Sequence, residues 1–113
     1  AKGTYVAQVD PICKALQPQV TNLGSDPAKQ ASAIADAVAK IMAVPKPKED
    51  STRADLFIAA LNNVNLSLQD VDQSRRVNDT TRANTALAGA KVNATKSNAA
   101  AKQYPMVECA QTF

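Results

Sequence analysis

Apolar residues recur along this chain at alternating spacings of three and four, the period of a helix face. In the first stretch Tyr5, Val9, Ile12, Leu16, Val20 and Leu23 form one stripe. Two prolines interrupt it. Pro11 follows Asp10, a good N-cap with proline at the first helical position. Pro18 removes a backbone donor inside the pattern and predicts a bend. The stretch reads either as a helix from near Thr4 that bends, or as a short turn before a helix starting at Asp10. Gly24 ends it in both versions.

The second stretch opens on "SDPAKQ", with Asp26 as cap, Pro27 at the first helical position, and Ala31, Ile34, Val38 and Ile41 as the stripe. "VPKPKEDS" stops it, because Pro45 and Pro47 disfavour helix and extend the backbone. The third stretch, capped by Asp50 or Ser51, repeats Phe57, Leu61, Val64, Leu68 and Val71, the seam expected of bundle packing. The chain turns at "VNDTT", where Asn78 or Asp79 caps the last stretch. There Ala83, Leu87, Ala90, Ala94, Ala101 and Tyr104 share the same spacing, broken only by Ser97. An alanine seam predicts close helix–helix approach. The pattern predicts an all-α, antiparallel four-helix bundle with short loops.

Composition fits that reading. A chain of 113 residues makes a single domain, residues 1–113, with a modest core. Three glycines are too few for the turns of an all-β fold. Aromatic content is 4%, there is no Trp, and Ala is abundant, so each buried residue contributes little area. No apolar run approaches the roughly 20 residues of a membrane span, and no signal peptide is visible. The first residue is Ala rather than Met, which admits a mature or trimmed form. An export signal, lipid anchor or membrane helix would then lie upstream.

In an up-down-up-down bundle the chain's end returns to the level of its beginning. Cys109, just after the fourth helix, then falls beside Cys13 in the first, and a Cys13–Cys109 disulfide is the one pairing available within the chain. The alternative is two separate buried thiols. A redox pair would want Cys-x-x-Cys, and a zinc site more Cys or His; the chain has no His. Disulfides persist in oxidising compartments, so the bond places the domain outside the cytoplasm: secreted, periplasmic or anchored to the outer face of the membrane.

Four segments in order, "GTYVAQVDPICKAL", "VPKPKED", "VNDTTRAN" and "AAAKQYPMVECAQ", resemble the small exported helical domains common in actinobacteria. Such domains carry one Cys in the first helix and a "YG-L-x-x-C"-like ending, behind a signal peptide, lipid anchor or membrane helix. The similarity covers nearly the whole chain. It departs at Pro105-Met106, where Gly-Leu is usual, and at Asn78-Asp79, where Gly-Asp is common. The resemblance implies the fold, the disulfide and export, and supplies no active site.

Candidate chemistry is sparse. Without His, and with the cysteines joined, the usual Ser/His/Asp and Cys/His arrangements are excluded. Asp70 and Asp72 point to different helix faces, and Glu49 and Asp50 sit at a cap. "QDVDQSRRVND" lacks the glycine and terminal glutamate of a calcium loop, and "LGSDP" is a turn and cap rather than a phosphate loop. We expect no enzyme, no metal and no cofactor. Asn65, Asn78 and Asn93 head Asn-x-Ser/Thr sequons, which chance explains in an Asn- and Thr-rich chain.

The net charge of +3 is mild and spread out, so solubility accounts for it. Nucleic-acid binding would want a broader basic face with interleaved aromatics. Arg75 and Arg76 complement the dipole at the end of the third helix; as contacts they would meet phosphate, carboxylate or an anionic headgroup. With Lys46 and Lys48 of the Pro-rich loop, they are the candidate partner contacts. The expected function is a non-enzymatic accessory subunit or protein-binding module at the outer face of a cell membrane, in a membrane-protein complex and attached through a segment outside this chain. The alternative is a carrier of a small apolar, lipid-like ligand, lined by Tyr5, Met42, Phe57, Tyr104 and Met106. Tyr or Met could in principle ligate haem iron, a less favoured form of the same alternative.

Overall fold

The computed structural model describes residues 2–113. Four helices follow one another: α1 (Lys2–Leu16), α2 (Pro27–Met42), α3 (Ser51–Arg76) and α4 (Thr80–Gln103). Short 3-10 turns at Gln17–Gln19 and Cys109–Gln111 close the first and last segments. Sequential helices run antiparallel in a bundle measuring 47 × 21 × 20 Å.

The first segment resolves the open choice between its two versions. Helix α1 begins at Lys2 and continues through Asp10-Pro11, so Asp10 is not a cap. An interior proline costs roughly 3 kcal/mol. It is tolerated here because residues 2–16 carry one continuous stripe, burying Tyr5, Val9, Cys13 and Leu16. Pro18 does not bend the helix but ends it. Its missing N–H and the restriction on Gln17 turn the chain into the 3-10 turn. Asn22 and Gly24 then adopt left-handed backbone, φ 60° and 92°.

Both Asp26 and Asp79 cap as expected, accepting bonds from Lys29 N at 3.3 Å and Arg82 N at 3.0 Å. Asp50 occupies the cap position of α3 in left-handed backbone (φ 63°) and makes no side-chain cap bond. Its carboxylate instead pairs with the Lys2 ammonium at 2.9 Å.

Helices α3 and α4 form the tightest pairing, followed by α2 with α3. Ala83, Ala86, Ala90, Ala94, Ser97 and Ala101 are the buried face of α4. Leu87, expected in that seam, is only half-buried; Ala86 takes the inward position, and Leu87 covers the α1–α2 loop. A Cβ on Gly24 would lie 2.4 Å from Leu87 Cδ1, so the glycine permits both the backbone turn and the close approach.

The α1–α4 flank is built differently. The C-terminal turn packs against both helices there, and Cys13 and Cys109 are joined by a disulfide with Cα atoms 4.9 Å apart. Both cysteines are fully buried. Such a bond is compatible with an oxidising compartment.

Candidate functional site

Three regions of the surface carry the chemistry the sequence offers. The first is the clasp between the chain's ends. After α4 the chain passes Tyr104-Pro105, a cis peptide, and Met106 N returns to Ala101 O at 2.7 Å. Asp10 Oδ1 accepts a bond from Cys109 N at 3.1 Å. Gln17 Nε2 donates to Glu108 O at 2.9 Å. Asn98 of α4 exchanges two bonds with the backbone of Phe113, at 3.2 and 3.3 Å. The C-terminal segment is thereby held from both sides. Asp10, freed from capping, is one of the holders.

The second region is the end of the bundle under the Val44–Asp50 loop. Lys2 pairs with Asp50 and also lies 4.9 Å from the centre of the Tyr104 ring. Lys46 pairs with Asp55 at the start of α3. The Tyr5 and Tyr104 rings stack at a tilt with centroids 5.5 Å apart. Burial raises the pKa of the Tyr5 hydroxyl, with Tyr104 and Asp55 adding to it. Tyr104 is raised for the same first reason, reinforced by Asp50 and Glu49. The hydrogen bond from Lys2 holds the Asp50 carboxyl below its ordinary range, outweighing partial desolvation, and the charges of Lys2 and Arg53 lower it further.

At the opposite end, Arg75 donates to Gly24 O at 2.7 Å, Arg76 pairs with Asp72 at 2.8 Å, and Arg82 pairs with Asp70. The four cations expected to contact a partner are therefore not one patch. Helix α3, 26 residues long, separates the Lys46–Lys48 loop from Arg75-Arg76, about 39 Å at 1.5 Å per residue. Three of the four, Lys46, Arg75 and Arg76, are tied to neighbours within the chain. The arginines tie the end of α3 to the α1–α2 turn and to its own preceding turn.

The residues expected around an apolar ligand divide. Tyr5, Phe57, Tyr104 and Met106 belong to the packed core, while Met42 is 67% exposed. Alanines on α4 bring the helices together, so Phe57, Tyr104 and Met106 fill the space between them, and Tyr5, equally buried, borders only a small cleft with Thr4, Gln8, Pro45, Lys46 and Pro47.

The third region is a groove of about 420 Å³ between α1 and α2, which pack less closely than α2 with α3 or α3 with α4. Its walls include Pro11, Ile12 and Ala15 from α1 and Ala33 and Ala37 from α2, with Asp36 and Lys40 beside them. Ala15 is exposed and Ala33 half-exposed. The groove is mostly apolar, with one carboxylate and one ammonium on the same wall.

Buried polar side chains escaped the sequence reading. Gln30 accepts from Gly24 N at 2.8 Å and donates to Thr21 O and Asn22 O, organising the whole α1–α2 turn. Asn65 links Asn62 and Gln69 in an amide ladder along α3. The signal was present. Gln30 sits four residues before Ile34 and Asn65 four after Leu61, polar residues in apolar register. Of the sequon residues, Asn65 is buried and Asn93 donates to Ser67 at 2.8 Å, whereas Asn78 is exposed in the α3–α4 turn.

Among the described residues, no group of three or more His, Cys, Asp or Glu converges on a point, and no helix is long and apolar enough to cross a membrane. Compared with protein-family models, with curated proteins and with solved structures, the chain gives no match.

Proposed function

We propose that this chain is an exported, non-enzymatic binding module, an accessory subunit of a protein complex at the outer face of a cell membrane. The Cys13–Cys109 bond carries the reading. It joins residues 96 apart in sequence and fixes the segment that fills the α1–α4 flank, a construction suited to an oxidising compartment. A small alanine-rich core gains a large part of its stability from such a bond, up to roughly 4–5 kcal/mol in the chain-entropy account.

The partner surface we assign to the α1–α2 groove rather than to the cations. Two antiparallel helices with an open, mostly apolar furrow accept a third helix, ridges into grooves. The occupant is a helix of the partner with apolar residues at three- and four-residue spacing. Asp36 and Lys40 lie at the furrow's edge and set its direction.

Gentle extraction from native membranes, followed by identification of whatever co-purifies, tests both parts. A partner recovered with the natural chain and lost with Ala15→Arg, at unchanged thermal stability, is the expected result. Retention in both Ala15→Arg and Ala33→Arg would place the contact elsewhere. A chain that stays monomeric in every extract overturns the module itself.

A further inference from the structure

The positive charge, spread out when followed along the sequence, gathers on one helix once the helix boundaries are known. Helix α4 holds Arg82, Lys91, Lys96 and Lys102 and none of the chain's 10 Asp and Glu. Outside α4 the cations and carboxylates nearly cancel. Arg82 is paired with Asp70. Among the described residues Lys91, Lys96 and Lys102 form no ion pair, and all three are exposed. A solvated helix commonly sets a carboxylate four residues from each lysine. Here those helical positions hold Leu87 and Thr95, Val92 and Ala100, and Asn98.

The buried alanine seam fixes which way the opposite face of α4 points. Lys91 and Lys102 lie three turns apart on one line, about 17 Å along the axis. Lys96 stands on the other border of the exposed face. Between the borders run Ala88, Val92 and Ala99, all exposed. The result is a weakly apolar strip flanked by ammonium groups on flexible stems. The lysines are too far apart to share one carboxylate, whereas a sheet of phosphodiesters offers an anion beneath each. Their stems reach those phosphates while the strip rests at headgroup level. Helix α4 packs on α3 and the C-terminal turn, and α2 on α1 and α3, so α2 and α4 stand at opposite corners. With α4 against a bilayer, the α1–α2 groove faces away from it.

We propose that the outer face of α4 is a docking surface for anionic phospholipid, which lays the 47 Å axis of the bundle along the membrane. The inference rests on the outer-face reading given above and not on the occupant of the groove. Three lysines give weak, salt-sensitive adsorption. That suffices to orient a domain which a second attachment holds nearby.

Co-sedimentation at low salt with vesicles of phosphatidylglycerol and phosphatidylcholine, against phosphatidylcholine alone, tests the face. The expected result is binding to the anionic vesicles only, released by added salt. Lys91→Ala, Lys96→Ala and Lys102→Ala should each weaken it about fivefold at unchanged Tm, and the triple variant should abolish it. Alanine at Lys14, Lys29 and Lys48 together, exposed away from α4, removes the same charge and should leave most of the binding. An equal loss there overturns the face, because net charge alone would then account for adsorption. No preference for anionic vesicles overturns the surface altogether. Binding to polyglutamate without binding to vesicles would give the face to an acidic protein and overturn the membrane assignment. The triple α4 variant should still recover the partner of the groove from detergent extracts, so either reading can fail without the other.

Discussion

The α3–α4 face and the α1–α4 flank of this bundle hold together by different physics. Across α3–α4, small residues on one helix meet Phe57, Leu61, Val64, Leu68 and Val71 on the other. Stability there comes from close approach over two long helices, each reinforced by its own backbone bonds. Across the other flank the helices do not close on each other. A ten-residue tail fills the gap, held by Asp10, Gln17, Asn98 and one disulfide. The covalent bond lies where packing is weakest. A small domain staples the flank that its core cannot close.

Removing the staple is therefore the largest single change available. The Cys13→Ala/Cys109→Ala chain, or the reduced natural chain, should lose up to about 4–5 kcal/mol, read as a large fall in Tm. Hydrogen exchange locates the loss. Residues 104–113 and α1 should exchange first, while α3 and α4 keep the higher protection. Equal loss of protection over all four helices would show one cooperative unit and break the comparison between flanks.

Close approach on the other side makes a complementary demand. Ala90 is fully buried in the seam, and Ala90→Leu should cost roughly 1–3 kcal/mol by overpacking. The same enlargement at Ala15, exposed on the α1–α2 groove, should change stability by no more than about 0.5 kcal/mol. Denaturant midpoints of the two variants measure the contrast. Similar values at both sites would mean that the α4 seam has slack and that its alanines are not there for proximity.

Much of this was legible in the chain, and the failures are instructive. Stripes, caps and prolines located three helices, because Asp26-Pro27 and Asp79 are local signals whose partners lie within one turn. The stapled ends were legible because topology alone brings Cys109 back to Cys13. Asp10-Pro11 misled as a cap, since the local signal was overruled by a stripe that continues on both sides of it. Tertiary burial outweighed it. Asp50 was legible as a boundary but not as an ion-pair partner, because Lys2 lies far away in sequence. For the same reason the reach of Arg75 to the carbonyl of Gly24 was not legible, since nothing local reveals it. The α1–α2 groove was invisible, because it arises from the spacing between helices and not from the face of either one.

The Lys2–Asp50 pair gives the smallest effect, and its sign follows from linkage. Lys2 holds the Asp50 carboxyl below its ordinary value of 3.8 in the folded state. The folded protein therefore binds that proton less readily than the unfolded chain, and the contribution is present above the ordinary value. It fades as the pH falls through the lowered folded-state value. Both partners are partly open to solvent, so salt screens the pair and the effect is slight. In Lys2→Ala stability near neutrality should fall slightly and the acid limb below the ordinary value of 3.8 should become shallower, so that the two chains converge once the carboxyl is protonated in both. Raising the salt concentration should bring the natural chain toward the variant. Superimposable acid limbs at low salt would mean that Lys2 acts at this end of the bundle through the Tyr104 ring alone, and that the loop is held on that side without its ion pair.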